Sequence, residues 1–137
     1  MGAVICTKIF GNEMAKNKGG VILNISSDLG LIAPNQEIYE NSYKPVSYSI
    51  IKHGIIGLTK YTSTYWAKEG VRCNALAPGG MKNDQSDKFI SKIEKLIPMN
   101  RMANQDEYKA TIVYMCSDAS SYMNGAVVAI DGGRTSW

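Results

Sequence analysis

Short apolar runs alternate with longer amphipathic stretches along this chain. Three of the runs are rich in β-branched or small apolar residues and lie at positions 21–25, 71–76 and 126–130. The first run is nearly continuous and the last is unbroken, as in parallel strands that are covered on both faces. The run at 71–76 is ended by Pro78-Gly79-Gly80. We therefore predict three buried strands.

Helices are predicted before and between these strands. Apolar residues at helical spacing indicate helices over residues 3–16, 46–69 and 105–117, and a short helix that carries Phe89, Ile93 and Leu96. The main apolar stripe of the long helix is expected at Ile51, Ile55, Leu58, Thr62 and Tyr65.

The order of these elements predicts an α/β fold. Parallel strands that alternate with helices are joined by right-handed crossovers. Three strands make a small sheet, and the first strand would leave an open apolar edge of the kind that proteins normally pair or cover. We therefore interpret residues 1–137 as half of a larger doubly wound domain.

Composition excludes several classes of protein. The 137 residues, 45% hydrophobic and 20% charged, are enough for one domain with a core. The net charge of +3 is too small to indicate a nucleic-acid partner. We find no apolar run long enough for a membrane span and no secretion signal, and so expect a cytoplasmic protein. The cysteines, Cys6, Cys73 and Cys116, are expected to be buried and unpaired.

Residues 48–52 have the form Y-x-x-x-K, so that Tyr48 and Lys52 are one helical turn apart. Positions i and i+4 share one face of a helix, where a phenol and an ammonium can meet a common ligand. A free tyrosine has a pKa of about 10, and a nearby cation favours its phenolate. Tyr48 is therefore a candidate general acid or base, although the motif alone also fits a surface pair.

Four blocks in a fixed order resemble the short-chain dehydrogenase/reductase family over nearly the whole chain. They are the strand with a serine pair at 25–30, the Y-x-x-x-K pair at 48–52, the strand and P-G turn at 71–79, and the last strand with its D-G-G at 123–133. Counted back from Gly30, Ser27 matches the catalytic serine. The resemblance implies the C-terminal half of a Rossmann-like, doubly wound parallel sheet, with three parallel strands and flanking helices.

The resemblance implies hydride transfer between a nicotinamide, NAD or NADP, and a carbinol or carbonyl carbon of a small molecule. Tyr48 would exchange a proton with the substrate oxygen, and Ser27 would donate a hydrogen bond to it. Lys52 would bind the nicotinamide ribose and depress the pKa of Tyr48. Further residues implied in cofactor binding are Pro78, Gly79, Gly80, Met81 and Asn83, the last in place of the family's usual Thr. No metal site is expected, since His53 is the only histidine.

The chain departs from the family pattern in one half of the cofactor site. It has no glycine-rich phosphate loop and no residue that selects NAD or NADP, and the family's catalytic Asn would fall before Met1. We therefore expect the 137 residues alone to bind dinucleotide poorly and to be inactive. The full-length enzyme is expected to be a homo-oligomer, a dimer or tetramer, as in the family.

The segment between Ser27 and Tyr48 is longer than usual for the family. Twenty residues intervene, and many of them carry hydrogen-bonding groups: Asn35, Gln36, Glu37, Tyr39, Glu40, Asn41, Tyr43 and Lys44. A polar loop in the cleft favours a polar alcohol or carbonyl substrate, such as a sugar derivative. A solvated surface loop, a 3-oxoacyl-thioester reductase, and a non-catalytic interaction module derived from such an enzyme are the alternatives.

Overall fold

Three parallel strands form the centre of the computed structural model, which describes all 137 residues. The strands are β1 (Gly20–Ile25), β2 (Val71–Pro78) and β3 (Val127–Ile130), in the order β1-β2-β3. Gly20 pairs with Val71 at the start of β1, and Ala75 pairs with Val127 at the start of β3. The predicted α/β class and parallel sheet are confirmed.

Four α-helices flank this sheet. They are α1 (Gly2–Lys16), α2 (Val46–Tyr65), α3 (Asp87–Glu94) and α4 (Lys109–Cys116). Two helices are shorter than predicted: α2 ends before residue 69, and α4 begins after residue 105. Trp66 to Gly70 form a turn after α2, and Gln105–Tyr108 is a separate 3-10 helix before α4. No helix has both the length and the apolar character that a bilayer crossing requires.

The core lies on the central strand. Val71, Cys73, Ala75 and Leu76 of β2 are almost completely buried, and Leu76 packs with Tyr108 and Met115. A second cluster joins Ile38 to Ile93, Ile97 and Met102.

The stripe predicted for α2 is only partly buried. Ile51 and Tyr65 are more than half exposed, and the residues that the helix buries are Thr59, Thr62 and Ser63. Small side chains at these positions let α2 approach the sheet closely, and Ile51 and Tyr65 do not share this buried face. The prediction for the cysteines was also partly wrong, since Cys6 and Cys116 are exposed and only Cys73 is buried.

Candidate functional site

The serine pair lies where β1 ends, and its two hydroxyl groups have different partners. Ser26 donates from Oγ to the backbone oxygen of Lys52 at 2.8 Å, which ties the end of β1 to α2. Ser27 caps the following 3-10 helix, Asp28–Gly30, by accepting from the Leu29 N–H at 3.2 Å. Because Ser26 is committed to the backbone, Ser27 is the serine of the pair that faces the cleft described below.

Close packing of this turn against α2 depends on Gly30. A Cβ atom at this position would lie 2.5 Å from the Ser26 Oγ and 2.9 Å from the Lys52 carbonyl oxygen. Real Cβ atoms do not approach backbone oxygens so closely. The glycine therefore allows the turn with Ser27 and the helix with Tyr48 and Lys52 to come together.

Tyr48 and Lys52 lie in the first two turns of α2, on the side that faces the end of β1. The Lys52 ammonium donates to the Ile25 carbonyl oxygen at 3.1 Å and lies 5.6 Å from the centroid of the Tyr48 ring. Partial burial, and secondarily the positive charge of Lys44, lower the pKa of Lys52. The ammonium thus lies at the carboxyl edge of the sheet, beside the phenol.

Ser27 and Tyr48 share a cleft of about 280 Å³ above the carboxyl ends of the strands. Its wall also includes Gly79, Gly80 and Met81 from the turn after β2. The remaining lining residues come from the loop after β1, from the region of α3 and from the C-terminal segment: Asp28, Leu29, Tyr39, Lys44, Gln85, Phe89, Ile93, Met102 and Arg134. Ligands of open α/β sheets bind at this end of the strands.

The turn after β2 is fixed by backbone hydrogen bonds. Gly79 donates from its N–H to the Ile130 oxygen at 2.9 Å and accepts from the Tyr108 hydroxyl at 3.1 Å. A Cβ at Gly79 would lie 2.7 Å from the Asp131 Cα, so only glycine fits between the ends of β2 and β3. The turn therefore presents bare backbone to the cleft.

Three of the predicted cofactor residues lie outside the cleft wall. Pro78 is the last residue of β2, and its ring does not line the cleft. Asn83 is exposed, and its N–H donates to the Gln85 side chain at 2.7 Å. Lys52 also does not line the cleft, but it lies directly beside a residue that does.

A buried ion pair in the cleft wall was missed by the sequence analysis. Arg134 donates from Nη1 to the Asp28 Oδ2 at 3.0 Å, and the two side chains are only 5% and 4% exposed. The other carboxylate oxygen accepts from Ser27 Oγ at 2.8 Å and from the Leu29 N–H at 2.7 Å. Asp28 thus connects the candidate serine to the C-terminal segment. The only signals in the sequence were the position of Asp28 directly after the serine pair and that of Arg134 directly after the D-G-G.

Of the eight polar residues predicted in the long loop after Ser27, only two enter the cleft. Tyr39 and Lys44 line the wall, while the other polar residues of the predicted set lie elsewhere. The Ile38 side chain is 4% exposed in the cluster with Ile93, and Glu40 forms ion pairs with Lys88 and Lys92. The loop is therefore packed against α3 through these residues, whereas Gln36, Asn41 and Tyr43 are exposed, as the alternative of a solvated surface loop expects.

Comparisons with known proteins agree with this geometry. Residues 1–135 match the family described as enoyl-(acyl carrier protein) reductase. Among curated relatives, 2-dehydro-3-deoxy-D-gluconate 5-dehydrogenase of Bacillus subtilis is 34% identical over 94% of this chain and 50% of its own length. A 3-oxoacyl-[acyl-carrier-protein] reductase of Synechocystis is also 34% identical, over 96% of this chain and 51% of its own. The chain belongs to the short-chain dehydrogenase/reductase family.

A solved structure of the short-chain dehydrogenase/reductase family supports the same conclusion. The gluconate 5-dehydrogenase of Burkholderia cenocepacia, in complex with NADP and tartrate, has a TM-score of 0.84 and 26% identity over 96% of this chain and 51% of that one. The predicted family and Rossmann-like fold are confirmed, and the NADP in this neighbour supports the predicted cofactor class. The chain spans about half the length of the relatives it matches.

Proposed function

We propose that this chain supplies the catalytic half of an NAD(P)-dependent oxidoreductase that acts on a polar alcohol or carbonyl compound. The observation that carries the proposal is the shared cleft: Ser27 and Tyr48 line it together with the backbone of Gly79 and Gly80, and the Lys52 ammonium lies 5.6 Å from the Tyr48 ring. This combines a proton donor, a hydrogen-bonding hydroxyl and a cation at one end of the sheet.

The residues of the turn after β2 fit the nicotinamide end of a dinucleotide. Gly79 and Gly80 expose backbone, and the Cβ that Gly79 lacks would collide with Asp131. The cofactor, when bound, supplies or accepts the hydride. Met81 and the two glycines would hold the nicotinamide, Lys52 would bind the ribose hydroxyls, and Asn83 would bind the carboxamide.

The proton steps then belong to Tyr48 and Ser27. In reduction, the Tyr48 hydroxyl would donate its proton to the substrate oxygen as that oxygen becomes negative; in oxidation, the phenolate would accept the proton. The Lys52 ammonium places a positive charge 5.6 Å from the centroid of the Tyr48 ring. Ser27 would hold the reacting oxygen, where developing charge makes a hydrogen bond most effective.

Ser27 must change partner to act as this donor. The Ser27 hydroxyl donates its proton to Asp28 Oδ1 at 2.8 Å, so that toward any other group its oxygen can only accept a hydrogen bond. Rotation of the hydroxyl about the Cβ–Oγ bond would turn the proton toward a carbonyl substrate, while Asp28 keeps its bonds from Leu29 and Arg134. An alcohol substrate could instead donate to Ser27 without this rotation.

The substrate class proposed is a sugar derivative. Its support is the polar wall of the cleft, with Asp28, Tyr39, Lys44 and Arg134, and the similarity to a gluconate-type dehydrogenase of Bacillus subtilis. Reduction of a 3-oxoacyl thioester is the second candidate, because the Synechocystis acyl reductase is equally similar. A cleft with several charged groups suits an acyl chain less well. A cytoplasmic location and a homo-oligomeric enzyme remain predictions.

Replacement of Tyr48 by Phe tests the proposal in the full-length enzyme that contains this sequence. We expect Tyr48→Phe to lower kcat by at least about a thousand-fold, since the proton donor is lost, with cofactor affinity changed less than about two-fold. Tyr122→Phe is the control, because Tyr122 is fully exposed. Unchanged turnover in Tyr48→Phe would refute the assigned role.

The 137 residues alone provide a second test. Because they contain no glycine-rich phosphate loop, we expect no binding of NADH or NADPH at micromolar concentrations, measured by nicotinamide fluorescence. Tight binding would contradict this account of the cofactor site. Should the full-length protein bind no dinucleotide either, the alternative of a non-catalytic interaction module would be favoured.

A further inference from the structure

The Lys44 ammonium is a positive charge in the cleft wall that has no carboxylate partner. Three charged residues line the cleft, and two of them, Asp28 and Arg134, neutralise each other at 3.0 Å. None of the ion pairs in the protein includes Lys44. The cleft is therefore positively charged beside Tyr48.

Contacts on both sides hold Lys44 in this position. The Gln36 side chain accepts from the Lys44 N–H at 2.9 Å and donates to its carbonyl oxygen at 3.2 Å, so that one amide fixes the backbone. The ammonium lies 4.0 Å from the centroid of the Tyr48 ring and 5.9 Å from that of Tyr39. These rings orient the cation without neutralising it.

A half-buried cation without an anion carries a desolvation cost that a bound anion would relieve. Lys44 adjoins the phenol on the cleft side, whereas Lys52 does not line the cleft and donates to the Ile25 oxygen at the strand end. The two lysines therefore serve different positions around one tyrosine. An anion bound by Lys44 would lie next to the oxygen that Ser27 and Tyr48 hold.

We propose that Lys44 binds a carboxylate of the substrate, and that the substrate class is a hydroxy acid or the corresponding oxo acid. The inference rests on the proposed oxidoreductase function and names the substrate of that same site. Lys44 is then a specificity residue: its ammonium distinguishes an acid from a neutral polyol of similar size. Ser27 and Tyr48 act on the reacting oxygen, and Lys44 acts on the charged end of the molecule.

The test compares an acid with its neutral counterpart in the full-length enzyme. D-gluconate and D-glucitol have the same six-carbon chain and differ at one end by a carboxylate and a hydroxymethyl group. Lys44→Met keeps the length of the side chain and removes its charge. Lys68→Met is the matched control, because Lys68 is exposed and lies outside the cleft wall.

We expect wild type and Lys68→Met to oxidise D-gluconate with a higher kcat/KM than D-glucitol. In Lys44→Met, kcat/KM for D-gluconate should fall at least about ten-fold, the scale of one charged hydrogen bond, while that for D-glucitol changes less than about two-fold. Equal losses for both compounds would overturn the inference and indicate that Lys44 acts through Tyr48. No loss for either compound would also overturn it.

A binding measurement separates this inference from the proposed function. NMR spectra of wild type and Lys44→Met are recorded during titration with D-gluconate, D-glucitol, inorganic phosphate and NADP. Gluconate binding that requires Lys44 would support the inference even if no compound were oxidised, an outcome that would refute the proposed function instead. If neutral polyols are oxidised and gluconate binding does not depend on Lys44, the proposed function would be supported and the inference about Lys44 overturned. Loss of phosphate or NADP binding alone in Lys44→Met would assign the lysine to the cofactor and overturn the inference.

Discussion

Removing the Arg134 guanidinium is expected to destabilise the protein more than any change at a surface charge. In Arg134→Met, the Asp28 carboxylate would stay 4% exposed and lose its only cation. Breaking a buried pair from one side typically costs about 3–5 kcal/mol, because the remaining charge is uncompensated. The hydrogen bonds from Ser27 and Leu29 to Asp28 remain, so the lower end of this range applies.

A loss of about 3 kcal/mol corresponds to a clear shift in melting temperature. Globular proteins have an unfolding entropy of roughly 2.1 cal/mol/K for each residue, so a chain of this length has about 0.29 kcal/mol/K. The expected decrease in Tm is therefore about 10 °C. Differential scanning calorimetry measures this directly, and urea unfolding gives the free energy if the transition is two-state.

Two further variants make the test specific for the buried charge. Asp28→Asn with Arg134→Met removes both charges but keeps an acceptor for the Leu29 N–H, and it should be more stable than Arg134→Met alone. Lys109→Met removes the exposed ion pair with Asp106, in which the side chains are 73% and 79% exposed, and should change stability by less than about 0.5 kcal/mol. A loss below about 1 kcal/mol in Arg134→Met, or a double variant less stable than it, would refute this reasoning.

Two other predictions follow from steric fit and from thiol burial. Gly30→Ala should destabilise the protein by about 1–3 kcal/mol in urea unfolding, because the new Cβ meets the Lys52 carbonyl oxygen. Gly57→Ala is the control and should be neutral or stabilising, because the space around Gly57 is open. Similar effects at both positions would contradict the packing argument. In the 137-residue chain, a thiol reagent should modify Cys6 and Cys116 quickly and Cys73 only after unfolding, since burial raises the pKa of Cys73 to about 11. The raised pKa of Cys73 also makes stability depend on pH. The contribution of the neutral, buried thiol to stability is complete below its usual pKa of 9.0 and is lost as the pH rises from there toward 11. Cys73→Ala should therefore reduce the decrease in Tm at alkaline pH. Rapid modification of three thiols in the folded chain would be the contrary result.

The sequence predicted the parts of the fold that local patterns determine. Short, mainly apolar runs located all three strands, and the spacing of Tyr48 and Lys52 placed both on one side of α2. The ends of α2 and α4 were less predictable, because a helix and a following turn share the same local composition. The exposure of Ile51 could not be predicted, since the face that α2 buries, with Thr59, Thr62 and Ser63, is set by its packing against the sheet.

The candidate site contains residues that no local pattern indicates. Asp28 and Arg134 are 106 positions apart and meet only because β1 and β3 both end at the cleft. Lys44 looked like one of eight polar loop residues, and its position depends on the contact with Gln36 and on the Tyr48 ring. Long-range juxtaposition of this kind becomes visible only when the sheet order and the loop conformation are known.

The loop after Ser27 links substrate selection to the geometry of the proton donor. Its buried Ile38 fixes it to the cluster with Ile93, and the same loop then carries Lys44 to within 4.0 Å of the Tyr48 ring. Any displacement of the loop would therefore move the proposed carboxylate site and alter the electrostatic surroundings of the phenol together. A substrate whose carboxylate engages Lys44 would draw part of that positive charge away from the ring just as its hydroxyl reaches Tyr48. In this arrangement Lys44 serves recognition of the substrate, whereas Lys52 donates to the Ile25 oxygen and does not line the cleft.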